Sequence, residues 1–307
     1  MADNYIIKMG IATKDALTAP IIKYYLAKNE IHLTKTEMEE KMRALKGNQE
    51  PYRLDRELIK GEVSSFRVDN FSCYTFMPRE YKTDKHVIYF TGGAFFQEAT
   101  KFHIQFMETL AKRAGVKVTM VAYPKVPTYD GFLTYKMAEV AYKKILEETD
   151  AKNIVVSGDS SGGAIALTLP QYFRDKGLPM PRGVVVYSPA CSIKSNSPET
   201  QEYQKRDPML ILDAVKIPVK IWREGISDIV CDPMAIDPET LPHILVFTGT
   251  EDVLYPDTKN FVEKMHYAGK DIKCYIFKGM FHVFHLQYMT IAATECMKIT
   301  CDYLRDL

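Results

Sequence analysis

V-V-S-G-D-S-S-G-G, Val155 to Gly163, sets two adjacent serines in a frame of glycines. The run N-I-V-V-S ahead of it reads as a strand, and A-I-A-L-T-L behind it suits a helix with small residues toward a sheet. A strand that turns sharply into a helix needs glycine on both sides of the bend. A side chain at either G of G-x-S-x-G would strike neighbouring backbone. Such a turn exposes its central residue, Ser160, at the carboxyl edge of the sheet and close to the free N–H groups of a helix N-terminus.

The rest of the chain decides whether that context exists. E-V-S-S-F-R-V and F-S-C-Y-T-F-M-P, from Glu62 onward, alternate and read as an antiparallel hairpin. Short apolar runs then recur at 86–90, 118–123, 153–157, 183–187, 244–248 and 273–277, with helical segments such as 102–113, 132–148 and 258–267 between most of them. Strands buried on both faces and separated by helices predict an α/β fold with a mainly parallel sheet. The all-β alternative, in which G-D-S-S-G-G would parallel the G-D-S-G-G of chymotrypsin-like proteases, is incompatible with that order.

Two stretches stand apart. The first sixty residues read as short helices. In T-K-T-E-M-E-E-K-M-R-A-L-K-G, Thr34 and Glu37 have capping-box spacing, Met38, Met42 and Leu45 share a face, and Gly47 suits the stop. Between Tyr187 and Ile244 there is no clear strand, and L-I-L-D-A-V-K-I-P-V-K-I-W-R-E-G reads as a helix with a proline break. Long strandless intervals serve as lids or binding segments. The predicted organisation is a helical cap segment over 1–60 and a catalytic core over 61–307, with a cap insertion at about 190–240.

A serine is a weak nucleophile until a base takes its proton and a carboxylate orients that base. The order Ser, acid, His is met in the expected loops. G-T-E-D-V-L supplies Asp252, with Glu251 as alternate, and K-G-M-F-H-V-F-H supplies His282, with His285 as alternate. In Y-F-T-G-G-A-F-F, residues 89–96, adjacent glycines let the backbone turn its N–H groups toward a ligand. Gly93, Ala94 and the N–H of Ser161 are the oxyanion-hole candidates. Reading H-V-F-H as a pair of metal ligands finds no third ligand nearby, and His32, His86, His103, His243 and His266 are isolated. No metal and no cofactor are expected.

T-G-G-A, G-D-S-S-G-G, E-D-V-L-Y-P-D and G-M-F-H-V-F together resemble the hormone-sensitive-lipase-like branch of the α/β-hydrolases, over about residues 60–307. V-A-Y-P-K-V-P, Y-S-P-A and R-D-P-M-L fall where that family has V-x-Y, S-P and D-P-x-L. The resemblance implies an α/β-hydrolase fold with helices on both faces of the sheet and a helical cap. It also implies cofactor-free hydrolysis of small, short-chain acyl esters. Four departures stand out: Thr91 replaces the usual histidine of the oxyanion loop, the second aspartate is displaced to Asp257, Ser161 stands in place of alanine, and Pro170 lies within the post-serine helix. An amidase or formamidase on the same triad is the alternative, and a non-catalytic binding protein on this fold is a more distant one.

The 307 residues carry a formal net charge of +1 with no long basic run, which argues against a nucleic-acid partner. Lys8, Lys14 and Asp15 interrupt any signal-peptide core, and no uncharged apolar stretch reaches the ~18 residues of a membrane span. A soluble cytoplasmic protein is expected. Its six cysteines lack metal-ligand spacing and read as buried reduced thiols. Phe95, Phe96, Tyr24 and Tyr25 are candidates for pocket lining or core. Chain-length preference is not legible, and a homodimer remains open.

Overall fold

The computed structural model describes residues 5–29, 33–194 and 198–307, so His32 lies outside the described residues. Its strands are β1 (Ile6–Met9), β2 (Val63–Val68), β3 (Phe71–Phe76), β4 (His86–Phe90), β5 (Lys117–Val121), β6 (Ile154–Asp159), β7 (Gly183–Tyr187), β8 (His243–Gly249) and β9 (Ile272–Phe277). They form one sheet in the order β1-β9-β8-β7-β6-β4-β5-β3-β2. Pairing is parallel from β1 through β5, while β3 and β2 add the antiparallel edge that the alternating hairpin predicts.

The helices are α1 (Thr13–Asn29), α2 (Lys35–Leu45), α3 (Lys101–Leu110), α4 (Gly131–Leu146), α5 (Ser160–Asp175), α6 (Pro198–Tyr203), α7 (Leu212–Trp222), α8 (Asp228–Cys231), α9 (Tyr255–Tyr267) and α10 (Ile291–Asp306). Strand residues alternate between two cores. Ile88, Phe90 and Val156 pack with α4, α5 and α9, whereas Val87, Tyr89 and Val155 pack with α3 and α10. Both faces are therefore covered, and the central strands are apolar throughout rather than alternating.

Two local readings are corrected. The first sixty residues are not all helical, since Ile6–Met9 joins the sheet parallel to β9, anchored further by the Cys274 N–H on the Tyr5 carbonyl at 2.7 Å. Four residues are too few to show a strand period, and only the exposed edge of β9 selects this conformation. Pro218 does not break its helix, because α7 runs from Leu212 to Trp222 with Leu212, Ala214, Pro218 and Trp222 buried. Packing against α2 outweighs the single lost backbone bond. Pro170 is likewise carried inside α5.

The helix at 35–45 begins as its sequence predicts. Thr34 Oγ accepts the Glu37 N–H at 3.3 Å, and Glu37 Oε2 accepts the Thr34 N–H at 2.7 Å. On α1, Asp15 accepts the N–H groups of Ile291 and Ala292 at 2.8 and 2.7 Å, capping α10. Among the described residues, no helix is long and apolar enough to cross a membrane. All six cysteines are buried and unpaired.

Candidate active site

The elbow is built by sterics. Ser160, the first residue of α5 directly after β6, has φ of 51°, in the left-handed region that a side-chain-bearing residue adopts only at a cost. A Cβ on Gly158 would lie 2.4 Å from the Gly162 carbonyl oxygen, and one on Gly162 would lie 2.0 Å from that of Phe90. The two glycines thus permit the strained serine, which sits at the sheet's carboxyl edge with its side chain largely covered.

Two loops bring the partners. Asp252 follows β8 and His282 follows β9, adjacent strands in the sheet. His282 Nε2 is 2.9 Å from Ser160 Oγ, and His282 Nδ1 is 3.0 Å from Asp252 Oδ1. With a carboxylate at Nδ1, the ring carries its proton there and offers a lone pair to the serine. Asp252 Oδ1 also accepts the Leu254 N–H at 2.9 Å. Burial disfavours the imidazolium, but the charge and hydrogen bond of Asp252, with Asp207 and Asp159 behind, raise His282 above its ordinary value.

The alternates lie elsewhere. Glu251 is paired with Lys23 on α1, at the surface. His285 is buried against Tyr187 and Phe106, with Nε2 3.4 Å from the Tyr89 hydroxyl, and burial pushes it down to about 3.

Facing Ser160 is the loop after β4. Gly93, Ala94 and Phe95 all have positive φ, at 118°, 48° and 64°. Among the described residues, the N–H groups of Gly93 and Ala94 meet no protein acceptor. Ser161 has a part beyond the expected backbone N–H, since its Oγ accepts the Phe95 N–H at 3.3 Å. Thr91, standing for the family's histidine, gives its carbonyl to the Tyr123 hydroxyl at 2.9 Å.

Three residues that sequence reasoning missed support this arrangement. Asp159 accepts from Gly92 N–H at 3.1 Å and from the Tyr89 hydroxyl at 2.8 Å, with His103 Nε2 at 3.2 Å from its other oxygen. Burial opposes its ionisation, yet His103, His285 and Tyr89 hold its carboxyl down to about 2. His103 reads as isolated because its partner is 56 positions away. Asp207, within R-D-P-M-L, reaches both the acid and histidine loops. Its only sequence signal is that motif.

Two cavities meet at Ser160. One of about 50 Å³ is lined by apolar groups including Ala94, Phe95, Ile193, Leu212, Val219 and Leu254. The other, about 460 Å³, is bounded by Leu26, Met38, Phe96, Met209, Val283 and Leu286 among others. Phe95 and Phe96 line these spaces, whereas Tyr24 and Tyr25 are exposed on α1, outside both linings. Their helix turns them to solvent, which spacing alone does not reveal. Phe95 also stacks on Trp222 of α7, ring centroids 4.0 Å apart, joining the 190–240 segment to the loop facing Ser160.

A family model described by its α/β-hydrolase fold matches residues 87–286. The chain is 28% identical over 204 residues to an esterase of Acinetobacter venetianus, spanning 65% of this chain and 67% of that protein. It is 24% identical over 202 residues to an acetyl-hydrolase of Streptomyces hygroscopicus, spanning 65% of this chain and 68% of that one. In fold it is similar to a hormone-sensitive lipase from a metagenome library, with a TM-score of 0.79, 22% identity, and 96% and 99% of the two chains covered.

Proposed function

The chain belongs to the α/β-hydrolase fold family, and from that premise we propose that it is a serine carboxylesterase acting on small, short-chain acyl esters. The names of its relatives, esterase and acetyl-hydrolase, support the reaction class. The observation that carries the reading is the unbroken hydrogen-bonded line from Asp252 through His282 to Ser160.

In this reading His282 removes the Ser160 proton as Oγ attacks the ester carbonyl. Asp252 holds the ring and balances the imidazolium. The oxyanion rests on the N–H groups of Gly93, Ala94 and Ser161. Collapse of the tetrahedral intermediate breaks the bond to the alcohol oxygen, which leaves with the proton from His282; water then gives its proton to the same base as it attacks the acyl-enzyme, and that proton passes to Ser160 Oγ as the acid departs. The smaller, apolar cavity suits a short acyl group. The larger cavity suits the alcohol. Helices α2 and α7, which pack on each other, act as the cap over it. The six buried thiols suit a reducing cytoplasm.

The test is Ser160→Ala, which should lower kcat on p-nitrophenyl acetate by roughly 10⁶ with the fold retained. Retention of most activity would overturn the assignment. A matched anilide separates esterase from amidase: cleavage as fast as the ester would favour the amidase reading.

A further inference from the structure

Asp207 lies in the loop between α6 and α7, distant in sequence from all three triad residues, yet it is buried beside Asp252 and His282. Its Oδ1 accepts the N–H of Met209 at 2.8 Å, and its Oδ2 accepts those of Val253 at 2.9 Å and His282 at 3.3 Å. One carboxylate thus ties its own loop, the residue after Asp252, and His282 itself. Hydrogen bonds from backbone N–H to an ionised oxygen are among the stronger ones, so this tie restrains both loops.

Electrostatics adds a second consequence. Asp207, Asp252 and His282 each present an atom within 4.8 Å of the others, and among the described residues Asp252 Oδ2 meets no hydrogen-bond donor. Two buried carboxylates at that separation repel unless a cation forms between them. The imidazolium of His282 is that cation, and on the alkaline side of its pKa it forms as Ser160 surrenders its proton.

We propose that Asp207 is a positioning residue for the hydrolytic reaction, fixing the acid and histidine loops and adding a second negative charge beside the imidazolium formed on His282. The inference rests on the triad reading above. It also makes the 190–240 segment a contributor to the base as well as a cover, because Asp207 enters from it. The groups acting on Asp207 are His282 and Asp252, and those acting on His282 are Asp252, Asp207 and Asp159. Burial pushes the Asp207 carboxyl up, with His282 opposing and Asp252 adding, while the N–H groups of Val253 and Met209 favour its ionised form.

The experiment measures kcat and KM for p-nitrophenyl acetate from pH 5 to 9 in wild type, Asp207→Asn and Asp207→Glu, with folding followed by circular dichroism. Asp207→Asn should lose at least about tenfold in kcat with KM within about threefold, an effect confined to the transition state. Its acid limb should move down by roughly half a pH unit or more, because one of the charges favouring protonation is gone. Asp207→Glu should lower kcat but keep the limb near its wild-type position. An unchanged limb in Asp207→Asn, or the same shift in both variants, overturns the proposal. If Asp207→Asn does not fold, Asp207→Ser, which keeps an acceptor without charge, gives the same reading. An active wild type with an equally active Ser160→Ala would instead sink the triad reading, leaving the two failures distinct.

Discussion

The Asp159 carboxylate accepts the Gly92 backbone N–H at 3.1 Å, so the residue before the candidate nucleophile holds the loop that faces it. His103 and Tyr89 grip the same carboxylate, and its low pKa keeps it an acceptor at every working pH. Asp159→Asn replaces one acceptor oxygen by a donor facing existing donors. A lost hydrogen bond to a charged group is worth about 1.5–3 kcal/mol, so kcat on p-nitrophenyl acetate should fall by roughly 10- to 100-fold. Unaltered kcat would show that the loop needs no such anchor.

In the proposed reading the pH profile follows from His282. The base must be neutral to accept the serine proton, so activity falls as pH drops through its pKa. The ordinary histidine value is about 6.5, where the sequence alone would set the limb. The neighbouring carboxylates raise it, so the acid limb of kcat/KM should lie above that value, with activity fully present on its alkaline side. Rates that stay flat down to pH 6 would argue against His282 as base.

Acyl length should be limited by the smaller cavity. Leu212, Val215 and Val219 of α7 form part of its wall, and Val215 borders the larger space as well. Each carbon that does not fit costs about 1–3 kcal/mol, so kcat/KM should fall from acetate through butyrate to octanoate. Val219→Ala, at a side chain that borders the smaller cavity and not the larger, should raise the octanoate-to-acetate ratio by about tenfold. A ratio unaffected by this change would place the acyl chain in the larger cavity.

Much of this was legible in advance where the signal is local. The apolar runs at 86–90, 118–123, 153–157, 183–187, 244–248 and 273–277 each became a strand, because a segment buried on both faces must be apolar throughout. The elbow glycines announce their own sterics, and Thr34 with Glu37 announces a cap. Ile6–Met9 was not legible, since its strand exists only by pairing with β9. Tyr24 and Tyr25 failed for a related reason: which side of α1 faces the protein depends on where its body docks.

The sequence by itself determined the α/β class, the strand-to-helix turn at Ser160, and the loops that carry Asp252 and His282. These follow from hydrophobic period, glycine conformation and chain order, all of which act over a few residues. Only the tertiary structure decided that Asp252 rather than Glu251 faces the imidazole and that Ser161 Oγ takes the Phe95 N–H. It also decided that Asp159 collects His103, Tyr89 and Gly92, and that Asp207 enters from the intervening segment to touch both loops. Those are contacts between residues 30 to 75 positions apart, set by how the sheet orders its strands and by the need of each buried carboxylate for donors.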